Sequence, residues 1–252
     1  MVNRVQELKT QIDAIGRPRA DFSTIKSTFA SLRAAKDWDV LNPARAAERG
    51  ELCVQLEHAE RAAEILEREQ RATEKFMARL EGSGINERDA LASSVSLTET
   101  PALTFVRDWY NSKPRKTWCV LSGGYGVGKT VASVWALRVA ARDGYGIAFR
   151  TAGEVARFSM FDAGAAELEF LKHVGFLVLD DFGAEHVSKY GEGVLGDLAN
   201  SRHGNFRATI LTTNLKGAEV KALAGCRLVD RWTHDGVFFA AGGTSMRKKK
   251  ET

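Results

Sequence analysis

Hydrophobic positions fall into two rhythms along this chain. Up to Leu80 they recur every three to four residues, the spacing that gathers apolar side chains on one face of a helix. Phe22, Ile25, Phe29 and Leu32 follow it, and Arg4 to Ile15 fits a short helix ended by Gly16-Arg-Pro18. Asn42-Pro43 opens a longer helix, with Asn as N-cap and Pro at the first helical position. That helix runs through Ala-, Glu-, Arg- and Leu-rich sequence to Leu80 and stops at Gly82 and Gly84. At 1.5 Å per residue it would be about 55–60 Å long. Leu52, Leu56, Ala59, Ala63, Leu66, Met77 and Leu80 give it an apolar stripe, which Gln70 and Thr73 interrupt; Gly50 is a candidate kink or break in the helix. Such a stripe suits a coiled coil, a partner-binding helix, or packing on the chain's own domain.

Beyond Pro101 the rhythm changes. Pro101 to Trp109 reads as a helix, and short apolar runs follow at 117–122, 146–151, 176–181, 208–213 and 237–241. Helical stretches separate them. Runs such as Phe176-Leu-Val-Leu179 suit strands buried on both faces. The alternation predicts an α/β fold: a parallel sheet flanked by helices, preceded by an α-helical N-terminal region. Residues 82–100 are rich in Gly, Ser, Asn and Thr and read as a linker. The expected organisation is an α-helical partner-binding region at 1–81, the linker at 82–100 and a catalytic domain at 101–252.

Composition narrows the class. Apolar residues make up 44% of the 252, enough for a real core. No apolar run approaches the ~20 residues of a membrane span, and no signal-peptide h-region follows Met1, so a cytoplasmic protein away from membranes is expected. Cys53, Cys119 and Cys226 lie far apart and the five histidines are scattered, which predicts neither a disulfide framework nor a zinc site. Net charge is +4, helped by the tail Arg247-Lys-Lys-Lys250; nucleic acid is permitted as a partner but not demanded.

The chemistry begins at Gly123-Gly124-Tyr125-Gly126-Val127-Gly128-Lys129-Thr130, which fits the phosphate-binding P-loop pattern G-x-x-x-x-G-K-[ST]. A predicted strand, Thr117 to Ser122, precedes it and a predicted helix, Val131 to Ala141, follows. In that setting loop N–H groups cradle phosphate oxygens at a helix N-terminus. Lys129 would reach the β- and γ-phosphates of ATP, and the Thr130 hydroxyl would ligate Mg²⁺. Asp180 and Asp181 end the run Phe176-Leu-Val-Leu-Asp-Asp181, where open α/β sheets bind ligands. Asp180 is the expected Mg²⁺ partner through water. Asp181 is the expected base or orienter of the attacking water, with Glu185 a second candidate. Ala208-Thr-Ile-Leu-Thr-Thr-Asn214 ends in an amide that can sense the γ-phosphate or position water if its strand lies beside the P-loop strand; Thr213 is its backup. Farther on come Arg227-Leu-Val-Asp-Arg231 and Gly242-Gly-Thr-Ser-Met-Arg247. These arginines either reach the γ-phosphate of a neighbouring subunit or form surface salt bridges, and chemistry alone does not choose.

The order of P-loop, Asp-Asp-x-Gly strand, Thr-Thr-Asn, Asp-Arg and Ser-x-Arg resembles the AAA+ ATPases of the bacterial helicase-loader group (DnaC/DnaI-type). IstB-type transposition helper ATPases share that core. The resemblance covers roughly residues 80 to 248, and Gly82-Ser-Gly-Ile-Asn-Glu-Arg88 is similar to the segment that leads into it. It implies a P-loop NTPase of the AAA+/ASCE type over 101–252. Asp180 and Asp181 would be the Walker B pair, Asn214 sensor 1, Arg231 the arginine finger, Arg227 a second interface arginine and Arg247 sensor 2. The chain has no Cys-rich zinc module of the kind some loaders carry, and the motifs that carry the resemblance leave the N-terminal 80 residues outside it.

The implied function is loading or remodelling of a replicative DNA helicase on single-stranded DNA by a homo-oligomer that assembles on ATP. One alternative is an IstB-like helper that assembles on duplex DNA and recruits a transposase. Another is an ATP-binding adaptor with negligible turnover, against which intact Lys129, Asp180, Asp181 and Asn214 speak. By the same resemblance, Thr151 to Phe161 faces single-stranded DNA. Arg157 would meet phosphate, and Phe158 or Phe161 would either stack on bases or serve as core of an amphipathic helix.

Overall fold

The computed structural model describes residues 43–93, 97–158, 162–183, 189–220, 222 and 234–246. Two compact units divide the chain between Glu74 and Lys75. Helix α1, Pro43–Glu81, follows the span expected from Asn42-Pro43 and the glycines beyond Leu80. In the first unit its described face is polar, with an i,i+4 pair between Arg71 and Glu67, while Ile65 and Leu66 are exposed. In the second unit, Phe76 and Leu80 pack against the core.

The second unit continues with α2 (Glu87–Ala92), α3 (Pro101–Asn111), β1 (Trp118–Gly123), α4 (Lys129–Arg142), β2 (Ile147–Thr151), α5 (Ala152–Phe158) and α6 (Asp162–His173). Then come β3 (Phe176–Phe182), α7 (Lys189–Gly204), β4 (Ala208–Thr213) and β5 (Gly236–Ala241). The strands occupy the five predicted apolar runs. They form a parallel sheet in the order β2-β3-β4-β1-β5. β4 thus separates the P-loop strand from the strand that ends in Asp180 and Asp181.

Pleating explains why these strands lack polar alternation. Cys119, Leu121, Phe149, Phe176, Val178 and Ile210 join α3 and α4 in one core. Their neighbours Trp118, Val120, Ala148, Leu177, Leu179 and Leu211 join α5, α6 and α7 in a second core on the other face. Both faces are covered, so both sets must be apolar.

Ser83 ties the start of the expected linker to the sheet, and Thr100 ties its end to α3. The Ser83 carbonyl accepts the Phe149 N–H at 2.7 Å and an Arg150 Nη1 hydrogen at 2.8 Å, along the outer edge of β2. Thr100 caps α3 by accepting the Leu103 N–H at 3.1 Å.

One structural group escaped the sequence reading. Arg202 of α7 is wholly buried. Its Nη1 donates to the Leu171 and Val174 carbonyls at 2.6 and 2.9 Å. Nη2 donates to the Ala208 carbonyl at 2.7 Å, and Nε to Thr209 Oγ1 at 2.9 Å. The guanidinium staples the end of α6 to the start of β4. Burial, with a smaller push from the charge of Arg207, draws its pKa down to about 9. Arg202→Met would strand these acceptors. We expect a loss of roughly 3 kcal/mol, read from the midpoint of denaturant unfolding, with no rescue by Lys. A change below about 1 kcal/mol would contradict the staple.

Candidate functional site

The loop between β1 and α4 needs its glycines for two separate reasons. A Cβ at Gly123 would lie 2.2 Å from the Ala241 carbonyl oxygen, because β5 runs alongside. Gly128 has φ 92° and stands at the N-cap of α4, which has no side-chain cap. That conformation strains residues with a Cβ. The uncapped helix keeps its first N–H groups available to an anion. Val127 is buried in the core, whereas Tyr125 is exposed at the tip.

Lys129 is buried, and its ammonium donates to the Gly123 and Gly124 carbonyls at 2.8 Å each and to Asn214 Oδ1 at 2.9 Å. Asn214 can reach it because β4 pairs with β1 through Ser122 and Thr213. Ser122 Oγ fixes the chain after β4 by donating to the Leu215 carbonyl at 2.5 Å. Thr213 faces elsewhere: it is wholly buried and donates to the Phe182 carbonyl at 2.7 Å.

Thr130 Oγ1 lies 3.1 and 3.2 Å from the two oxygens of Asp180. Asp180 is buried, and its pKa is pushed up to about 6. Burial is the main cause; the Asp181 charge adds to it, while hydrogen bonds from Thr212 and Thr130 oppose it. Asp181 is exposed and adopts φ 56°. Thr212 touches both acidic residues, a role decided by strand register and invisible in the order of residues alone. A hydroxyl and a buried carboxylate side by side fit a hard divalent cation, whose charge would favour the ionised acid. Thr130 and Asp180 would hold Mg²⁺, which in such sites takes one or two protein oxygens together with phosphates.

The chain after β5 returns to the loop. The Met246 N–H donates to the Gly126 carbonyl at 3.0 Å. Arg247 follows at once but lies outside the described residues, as do Phe161, Glu185, Arg227 and Arg231. On α5, Arg157 is exposed and Phe158 is half-buried against the second core, which leaves part of its ring accessible. No helix among the described residues is long and apolar enough to cross a membrane.

Residues 42–252 match the sequence model of a family described as IstB-like ATP binding protein. A protein of Escherichia coli K12, YdaV, is 30% identical over 120 residues, which are 46% of this chain and 48% of that protein. The match therefore spans about half the length of that relative. Among solved structures, the DnaC helicase loader superposes with a TM-score of 0.54 at 21% identity, over 62% of this chain and all of its own. DnaI superposes with a TM-score of 0.52 at 22% identity, over 66% of this chain and 95% of its own. These two likenesses show that the parallel sheet flanked by helices is a fold shared with P-loop proteins.

The elevated pKa of Asp180 has a sign that can be checked. A carboxyl whose folded pKa lies above its unfolded value of 3.8 takes up protons on folding between that value and about 6. Its contribution to stability is most unfavourable above the window and is relieved as pH falls through it. Asp180→Asn should therefore stabilise the nucleotide-free protein at pH 7.5 by on the order of 2 kcal/mol, a rise of several degrees in Tm. The gain should shrink toward pH 4. A lower Tm for the variant at pH 7.5 would show that the charge is better compensated than its surroundings suggest.

Proposed function

The chain belongs to the IstB-like ATP binding protein family, and from that premise we propose that it hydrolyses ATP in order to load or remodel a replicative DNA helicase on single-stranded DNA. The observation that carries the ATPase reading is the convergence of Lys129, Asn214, Thr130 and Asp180 from the P-loop and two neighbouring strand ends. Loop N–H groups and Lys129 bind the β- and γ-phosphates, with the ammonium exchanging its bonds to the Gly123 and Gly124 carbonyls for bonds to phosphate. Thr130 and Asp180 would hold Mg²⁺, which would supply charge neutralisation at the phosphates. Asp181, exposed beside Asp180, orients the attacking water and takes its proton as the water oxygen bonds to the γ-phosphorus and the bond to ADP breaks. Glu185 is a second candidate for that work. The Asn214 amide holds the water or the γ-phosphate from the other side.

Assembly on ATP would complete the site. Arg231 of a neighbouring copy serves as the finger that meets developing charge, and Arg227 is a second interface arginine. Arg247 acts as sensor 2, a role supported by the seating of Met246 on the P-loop. Arg157 meets DNA phosphate, with Phe158 and Phe161 beside it. ATP favours the assembled, DNA-bound state through contacts to the γ-phosphate that vanish on hydrolysis. The DnaC and DnaI folds support helicase loading. The family match favours a second reading, an IstB-like helper that assembles on duplex DNA and recruits a transposase.

Gel filtration with the replicative helicase of the same source separates the two. Phe76 and Leu80 pack on the core, so the informative truncation removes residues 1–74 rather than the whole helical region. A complex with ATP that disappears on this truncation is the expected result. No complex in any state, together with filaments on duplex DNA, would establish the transposition reading instead. Arg231→Ala should abolish cooperative ATP turnover, and normal cooperativity in that variant would remove the finger assignment.

A further inference from the structure

Two residues of β3 face one residue of β4. Leu179 pairs with Leu211 and Phe182 with Thr213, so Asp180 and Asp181 together stand opposite Thr212. Such a bulge bends its strand, re-aims side chains and leaves the ladder locally unpaired. The backbone groups it frees must find other partners when buried. The Thr212 hydroxyl supplies one by accepting the Asp181 N–H at 3.1 Å. The same hydroxyl donates to Asp180 Oδ1 at 2.5 Å. One hydrogen and two lone pairs allow both bonds at once. Thr212 is wholly buried; its bond to Asp180 is shielded from bulk water, and its bond from the Asp181 N–H is partly so. Asp181 meanwhile holds φ 56°, a left-handed conformation that Asp tolerates and bulky residues do not.

From this geometry we propose that Thr212 is a positioning residue for ATP hydrolysis. Its hydroxyl fixes the rotation of the Asp180 carboxylate toward Thr130 and holds Asp181 in the turn that exposes its acid. Thr212 itself reaches neither nucleotide nor cation. Bonding the Asp180 carboxylate and the Asp181 backbone N–H through one oxygen couples the two residues, so that the cation-side carboxylate and the backbone that carries the water-side acid keep a fixed relation. The kinetic part of this assignment rests on the ATPase reading above. The hydrogen-bond part does not.

Valine keeps the shape and β-branch of Thr212 and removes the hydroxyl; serine keeps the hydroxyl and removes a methyl group. The full-length protein would be compared with Thr212→Val, Thr212→Ala and Thr212→Ser. Four quantities matter: kcat and KM for ATP across a Mg²⁺ titration, affinity for a fluorescent ATP analogue without Mg²⁺, Tm, and hydrogen exchange of the Asp181 amide. Val and Ala should lower kcat roughly 10–100-fold, as loss of an outer partner of a metal ligand does, and raise the half-saturating Mg²⁺. Metal-free nucleotide affinity should stay within about twofold. The Asp181 amide should exchange about tenfold faster, the scale of one lost hydrogen bond. Ser should restore all of these.

Wild-type kinetics in the Val and Ala variants would overturn the proposal. So would a Ser variant as defective as Val, or an Asp181 amide indifferent to the hydroxyl. If Val does not fold, the contrast of Ala with Ser carries the same decision. A wild-type protein that turns over no ATP would overturn the ATPase reading and the kinetic role with it. Hydroxyl-dependent Asp181 exchange in that case would separate this failure from an error in the Thr212 geometry.

Discussion

A carboxylate buried inside a parallel sheet sets the terms for this molecule. Removing Asp180 from water penalises its charge, and the fold offers two hydroxyls, from Thr130 and Thr212, as compensation. That compensation is incomplete, since the pKa stays well above the ordinary carboxylate value. A group left in this condition gains by meeting a cation. The cost in folding free energy and the capacity to bind therefore have one origin. The same condition explains why Asp180 must end a strand: one residue earlier, Leu179 lies in the packed core and an acid there would find no hydroxyl opposite.

The strand order turns this local problem into a connected site. Because β4 lies between β1 and β3, its C-terminal end touches both halves of the phosphate machinery. Asn214 reaches Lys129 on one side, while Thr212 reaches Asp180 and Asp181 on the other. Thr213 and Ser122 fasten the same end through the Phe182 and Leu215 carbonyls. A shift of β4 by one residue would break all of these together. On the far side of β1, β5 presses the Ala241 carbonyl toward Gly123 and leads the chain back to Gly126 through Met246. The loop is thus bounded by backbone on the β5 side.

Much of this was legible in the sequence. Five apolar runs became five strands because helices cover both sheet faces, and a run without polar alternation reports that condition directly. The P-loop was legible because its glycines answer to backbone geometry that other residues resist. Lys129, Thr130, Asp180 and Asn214 were legible as strand-end or loop polar residues in an apolar setting. The partners of Arg202 were hidden, since an arginine inside a helical pattern ordinarily faces water. Thr212 was hidden for another reason. Its neighbours Thr209 and Thr213 have the same composition and the same burial, and only the bulge, which depends on how β3 and β4 pair, distinguishes their tasks. The seating of Met246 on the loop likewise depends on where β5 joins the sheet.

The β3–β4 pair carries a buried ionisable group at each end, and the two are treated differently. At the N-terminal end, Arg202 donates to three carbonyls and to Thr209, so each of its nitrogens has an acceptor. At the C-terminal end, Asp180 receives two hydroxyls and no backbone N–H among its described bonds, and a like charge stands next to it. Threonines of one strand serve both groups, through Thr209 and Thr212. A cation saturated by fixed acceptors has nothing further to bind and can only hold the fold together. An anion held only by hydroxyls, one of them from the first turn of α4, retains the reason to take a ligand. Strand β4 therefore divides its polar residues between a saturated structural cation at one end and a buried acid of raised pKa at the other.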